Sequence, residues 1–152
     1  MIMRSVLAII LTVSMAAAAF AAGSPSPSRP PPPTGYDLGV KAVKAGDYAR
    51  AISLLRKVVR ANPRDANAWN YLGFSHRKLT RFDQALAAYN KALAIKPDHR
   101  GANEYLGELY LQAGKPQKAK ERLKILDSAC VFGCKEYDDL KAAIASYQSR
   151  RN

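Results

Sequence analysis

The chain has 152 residues, nearly half of them apolar, which leaves room for one domain with a modest core and excludes a large multidomain assembly. Its 24 Lys and Arg outnumber 12 Asp and Glu, a formal charge of +12, so nucleic acid, phospholipid headgroups and wall polymers have to be weighed as partners. The placement of that charge decides among them.

In chain order, a short positive region, Met1–Arg4, precedes an apolar run from Val6 to Phe20 and the small-x-small triplet Ala19-Phe20-Ala21. This order predicts an export signal over residues 1–21, cut after Ala21. An uncleaved anchor is the competing reading. The run is shorter than the roughly 20 apolar residues a spanning helix needs, and it contains Thr12 and Ser14, so no stable membrane insertion is expected after cleavage. Residues 22–33 hold Ser-Pro repeats and then Pro30–Pro33, the composition of an extended or disordered linker.

Helical punctuation starts at Thr34, which with Asp37 forms a capping box ahead of an apolar-periodic run. From there one pattern recurs in register. Leu38, Gly39, Ala51, Leu55, Val58 and Pro63 are followed 34 residues later by Leu72, Gly73, Ala85, Tyr89, Ala92 and Pro97, with Trp69 ahead of them. A further 34 residues on stand Leu106, Gly107, Tyr110 and Ala119, with Gly114 at an expected turn and Pro116 at the first turn of the next helix. Asp65 is an N-cap candidate, and Thr80 with Asp83 reads as a second capping box.

This spacing resembles the tetratricopeptide repeat (TPR), best in residues 66–99. The resemblance implies an all-α fold, an α-solenoid of three TPR helix hairpins over residues 32–65, 66–99 and 100–133, within a TPR domain at 34–149. Gly35 and Ala42 replace aromatic positions in the first repeat, His76 replaces a tyrosine in the second, and Val131 replaces a proline in the third. Beyond it Tyr137, Leu140, Ile144 and Tyr147 form a helical stripe, read as a capping helix at 135–149 because Lys141 stands where a complete hairpin needs a small residue. The small Gly73 and Ala85 let paired helices approach closely, while Trp69, Leu72, Tyr89 and Ala92 fill space between hairpins.

Export makes Cys130 and Cys134 a disulfide candidate closing the third repeat's last turn, worth at most about 2 kcal/mol by loop entropy. Free thiols or a redox-active pair are the alternatives. No metal site is expected, because His76 and His99 lie far upstream of the cysteines without ligand-pair spacing. His76 reads as a buried packing residue with one hydrogen-bond partner. Phosphate loops, His-Glu-x-x-His and Gly-x-Ser-x-Gly are absent, so neither catalysis nor a cofactor is expected.

The resemblance directs attention to the concave face lined by the first helix of each hairpin. There it places Tyr36 and Val40; Asn67, Asn70, Tyr71, Phe74 and Arg77; and Glu104, Tyr105 and Glu108 as a partner-binding groove, with Leu111 and Tyr105 alternatively packing against the C-terminal helix. Aromatics and amides on a rigid curved face suit a protein or peptide partner. One TPR subtype clamps a terminal carboxylate with Lys, Arg and Asn; the corresponding residues are Tyr36, Val40, Tyr71, Gly101 and Tyr105, so that ligand is not expected. The expected function is a non-enzymatic adaptor or scaffold, periplasmic or secreted. The alternative is a cationic envelope-associated protein holding anionic polymer or membrane loosely through second-helix cations such as Arg56, Arg60, Lys91 and Lys120. Nucleic acid fits neither export nor the lack of aromatics among those cations.

Overall fold

The first helix starts where Thr34 and Asp37 exchange hydrogen bonds. The Asp37 amide donates to the Thr34 hydroxyl oxygen at 3.2 Å, and the Thr34 amide donates to the Asp37 carboxylate at 2.9 Å. That box, expected from the sequence, opens α1 (Gly35–Lys44). The chain is described here by a computed structural model over residues 34–150, so the export signal and linker expected at residues 1–33 lie outside the described residues. Six more helices follow: α2 (Tyr48–Ala61), α3 (Ala66–Lys78), α4 (Phe82–Ile95), α5 (Arg100–Gln112), α6 (Pro116–Ala129) and α7 (Lys135–Ser149). Among the described residues there is no strand. Helices α1/α2, α3/α4 and α5/α6 form three stacked hairpins, and α7 packs against both α5 and α6.

Each hairpin turns through the same motif. In the second, the Thr80 amide donates to the Arg77 carbonyl and the Arg81 amide to the His76 carbonyl, both at 2.9 Å, the two bonds of a Schellman cap. Equivalent pairs end α1 at Gly46 and Asp47 and α5 at Gly114 and Lys115. The motif needs a left-handed residue, and φ is +75° at Gly46, +57° at Thr80 and +69° at Gly114. Thr80 is therefore the end of α3 and not the start of α4. The capping box expected from Thr80 and Asp83 does not form: the N-cap is Arg81 with no side-chain cap, and the Thr80 hydroxyl donates to the Leu79 carbonyl at 2.7 Å. A β-branched residue in this conformation is strained. Thr80→Gly should raise the denaturant midpoint by the equivalent of about 1 kcal/mol without changing the slope. An unchanged or lowered midpoint would show that the strain is relieved locally.

Close helix approach is set by one glycine per repeat. A Cβ built on Gly39 would fall 2.7 Å from the Leu55 side chain, and one on Gly73 would fall 2.7 Å from the Tyr89 ring. On Gly107 it would meet Leu140 of α7 at 2.6 Å, so the third glycine admits the C-terminal helix. Ala51, Ala85 and Ala119, the small residues of the second helices, are fully buried.

The turns between repeats are held by a side chain reaching back six residues. Trp69 Nε1 donates to the Pro63 carbonyl at 2.9 Å, and at the same point one repeat later Asn103 Nδ2 donates to the Pro97 carbonyl at 3.0 Å. Asn103 thus replaces the indole in function while sharing none of its shape. At the third junction Cys130 and Cys134 form a disulfide, with Gly133 at φ +81° between them and Cys134 at the N-cap of α7.

Candidate functional site

The first helices α1, α3 and α5 lie side by side, and their shared face carries an aromatic row. Tyr36 and Tyr71 meet edge to face with centroids 6.0 Å apart; Phe74 and Tyr105 are 4.8 Å apart. All four rings are half-buried, so each keeps a surface open to solvent. Burial, with Tyr71 and two aspartates adding to it, pushes the Tyr36 phenol up to about 12. Burial also pushes Tyr105 to about 12, helped by Glu104, so both hydroxyls stay neutral donor-acceptors at physiological pH. Val40 is half-buried beside Tyr36 in a shallow hollow on α1.

Charge sits at the other end of this face. The Arg77 guanidinium bonds Glu108 at 2.5 Å and lies 5.5 Å from the Phe74 centroid and 5.7 Å from the Tyr105 centroid. It joins α3 to α5 by an ion pair and two cation–π contacts. Asn70, Arg77 and Glu104 are all buried, and so form the floor between first helices, while Asn67 is exposed. Asn70 lies against Gly101, where an added Cβ would come 3.0 Å from its amide nitrogen. Burial, with Glu108 and Asp139 adding repulsion, pushes the Glu104 carboxyl up to about 8.

That shift carries a sign. A carboxyl raised from 4.5 to about 8 keeps a proton in the folded state that the unfolded chain releases, so its stabilisation is full below pH 4.5 and is lost as pH rises through 8. Between roughly pH 7 and 9 the native chain should lose about 1 kcal/mol on this account, allowing for solvent reaching the groove. Glu104→Gln should abolish that fall, read as the pH dependence of the urea midpoint. A parallel fall in the variant would remove Glu104 as its source.

The C-terminal helix borders the groove. Leu111 is buried with Leu140 and Ile144 in the core under α7, so of the two residues weighed as packing partners for that helix, Leu111 is one. Tyr105 packs instead on Phe74 and, at 6.5 Å, on Tyr89. Ala143 and Ser146 of α7, with Arg150 at its C-cap, wall a hollow whose opposite side is Arg77 and Glu108.

Two features escaped the sequence. Tyr48, on α2, adds a ring 6.1 Å from Phe74, and Lys78, at a groove position of the repeat pattern, lies 5.9 Å from both. His99 caps α5: the Ala102 amide donates to Nδ1 at 3.1 Å, which leaves the proton on Nε2 to donate to Asn67 Oδ1 at 2.9 Å. Burial, and then Lys96, holds the His99 pKa below its ordinary value, consistent with that neutral form. Its place just before α5, equivalent to Asp65 before α3, was the available signal. His76 is buried as expected, but its Nδ1 has no hydrogen-bond partner among the described residues. No group of three or more His, Cys, Asp or Glu that could hold a metal ion occurs among the described residues.

Two models of the tetratricopeptide repeat match the chain, at residues 36–98 and 76–144. The chain belongs to the TPR family. Among curated relatives, protein FlbA of Caulobacter vibrioides is 35% identical over 80 residues, which is 53% of this chain and 13% of FlbA. The matched region spans only 4% to 16% of the length of the curated relatives it resembles. In structure, the TPR domain is similar to PcrH solved with the chaperone-binding region of PopD, at TM-score 0.68 and 18% identity, covering 78% of this chain and 91% of that one. It is similar also to the first TPR of Spaghetti (RPAP3) bound to an HSP90 peptide, at TM-score 0.66 and 20% identity, covering 76% and 90%. At these identities the likeness is one of fold.

Proposed function

We propose that this TPR protein is a non-enzymatic adaptor that holds an extended or helical segment of a partner protein in its concave groove. The observation that carries it is the row of half-buried aromatic side chains on aligned first helices, Tyr36 with Tyr71 and Phe74 with Tyr105. Rigid rings bring contact area at little entropic cost, and the exposed Asn67 beside them offers its amide N–H to a peptide backbone above the floor that Asn70 forms. Arg77, clamped to Glu108, fixes the spacing of α3 and α5, so the surface exists before the partner arrives. The fold is also that of proteins solved with bound peptides, PcrH with a region of PopD and Spaghetti with an HSP90 peptide. An exported, periplasmic setting is part of the proposal, on the N-terminal pattern of residues 1–21 and the cysteine pair.

The test is site-specific photocrosslinking in cells followed by fractionation. A probe at Tyr71 should give a discrete adduct with one protein in the periplasmic fraction, lost with Asn70→Ala and retained in about 0.5 M salt. Adducts formed only from a probe at Lys120 on the second helices, and dispersed by that salt, would replace the groove with charge-driven attachment. A cytoplasmic adduct would keep the groove and overturn export.

A further inference from the structure

On the opposite side of the second repeat from the groove, α2, α3 and α4 enclose a cleft of about 490 Å³, within the size range of small-molecule sites. Its walls separate by chemistry. Val59, Leu72 and Trp69 give an apolar lining, while Arg56 and Arg60 on α2 and Lys91 on α4 supply three cations. No carboxylate lines the cleft, and none of the three cations is in an ion pair among the described residues. Gln84 on α4 and His76 complete the polar lining; His76 is 3% exposed, and its Nδ1 is buried without a hydrogen-bond partner. Burial, and then Arg56 and Arg81, holds its pKa below the ordinary value, so the ring stays neutral.

This arrangement is not a by-product of the repeat. One repeat later, the residues equivalent to Arg56, Arg60 and Lys91 are Asn90, Ala94 and Ile125, and those equivalent to Trp69 and His76 are Asn103 and Tyr110. The scaffold has been copied, but the cations and the shorter imidazole have not. A general basic surface would show no such selection.

We infer that the α2–α3–α4 cleft binds a small single-chain anionic amphiphile, a carboxylate or phosphate head held by Arg56, Arg60 and Lys91 with its apolar tail along Trp69 and Leu72. Charge complementarity favours the anionic head, since three unpaired cations flank the opening. The lining favours an apolar tail, whose removal from water drives its entry. Neither a fully hydrated anion nor an uncharged hydrocarbon uses both halves.

Trp69 is the single tryptophan of the chain and lines the cleft, so its emission reports occupancy. The full chain is titrated with decanoate below its micelle concentration, with decyltrimethylammonium, acetate and inorganic phosphate as the other arms. Decanoate should give a saturable shift of emission, and the other three should give none. Arg60→Glu should weaken decanoate binding about tenfold or more. His76→Tyr, which restores the residue the third repeat carries at this position, should fill the cleft and abolish the shift while circular dichroism stays native. A flat decanoate titration overturns the inference, as does an equal response to decyltrimethylammonium. So does a shift equally produced by acetate or phosphate, or one surviving both substitutions in folded protein. Tyr71→Ala should leave the titration unchanged, because the groove lies on the other face.

Discussion

Tyr89→Ala should lower the unfolding free energy by about 3–5 kcal/mol, the range for emptying a buried aromatic site. Tyr89 is the largest fully buried side chain among the described residues and packs with Ala85, Leu106 and Leu109, so its loss opens the seam between the second and third hairpins. Burial pushes its phenol far above the ordinary value, against the pull of the nearby Arg77 guanidinium, and its oxygen has no partner in hydrogen-bonding geometry. The ring therefore carries the stability, and Tyr89→Phe should cost less than about 1 kcal/mol.

The same ring explains why Gly73 is glycine. Gly73→Ala alone sets a methyl group 2.7 Å from a ring with no room to retreat, which should cost about 1–3 kcal/mol. In the Tyr89→Ala background that methyl group enters the vacated space, and the better helix propensity of alanine, about 1 kcal/mol, emerges. The second substitution should then be stabilising, a change of sign measurable by urea unfolding of all four proteins. Additive effects would show that Gly73 is kept for some reason other than Tyr89.

These constraints are why the fold could be read from the sequence. Gly39, Gly73 and Gly107, with Ala51, Ala85 and Ala119, are fixed by how closely helices must approach, and a steric limit of this kind admits few residue types. Positions filled by hydrogen bonding admit several, which hides them. Asn103 does for the third repeat what Trp69 does for the second, yet as a residue type it looks like a missing aromatic. Thr80 misled because its type suits an N-cap, while its column, shared with Gly46 and Gly114, is that of the left-handed helix end. Column outweighs type at such a position, since the two Schellman hydrogen bonds set the backbone and the side chain must tolerate it. The groove was legible as a set of positions but not as a state of charge. Asn70, Arg77 and Glu104 belong to the groove-facing pattern, yet the close side-by-side packing of first helices buries all three. The Arg77–Glu108 pair, separated by nearly a whole repeat in sequence, depends on that packing and leaves no local signal.

That pair supplies the other large expected effect. Arg77→Met preserves bulk beside Phe74 and Tyr105 but strips Glu108 of its only ion-pair partner among the described residues. Removing one member of a buried pair costs about 3–5 kcal/mol because the remaining charge stays desolvated. Glu108 keeps 27% of its side chain in solvent, against 7% for Arg77, so the loss should fall nearer to about 2–3 kcal/mol. Arg77→Lys should recover only part of it, since a lysine keeps the charge but neither the planar fork nor the stacking on two rings. The decisive protein is Arg77→Met with Glu108→Met. If the single variant fails through an orphaned carboxylate, replacing the carboxylate as well should restore most of the lost stability, with a coupling of about 2 kcal/mol between the two sites. A double variant as unstable as Arg77→Met would place the contribution of Arg77 in its contacts with Phe74 and Tyr105. The spacing of α3 and α5 would then rest on the aromatic stack, and Glu108 would be free to meet a basic residue on whatever the groove holds.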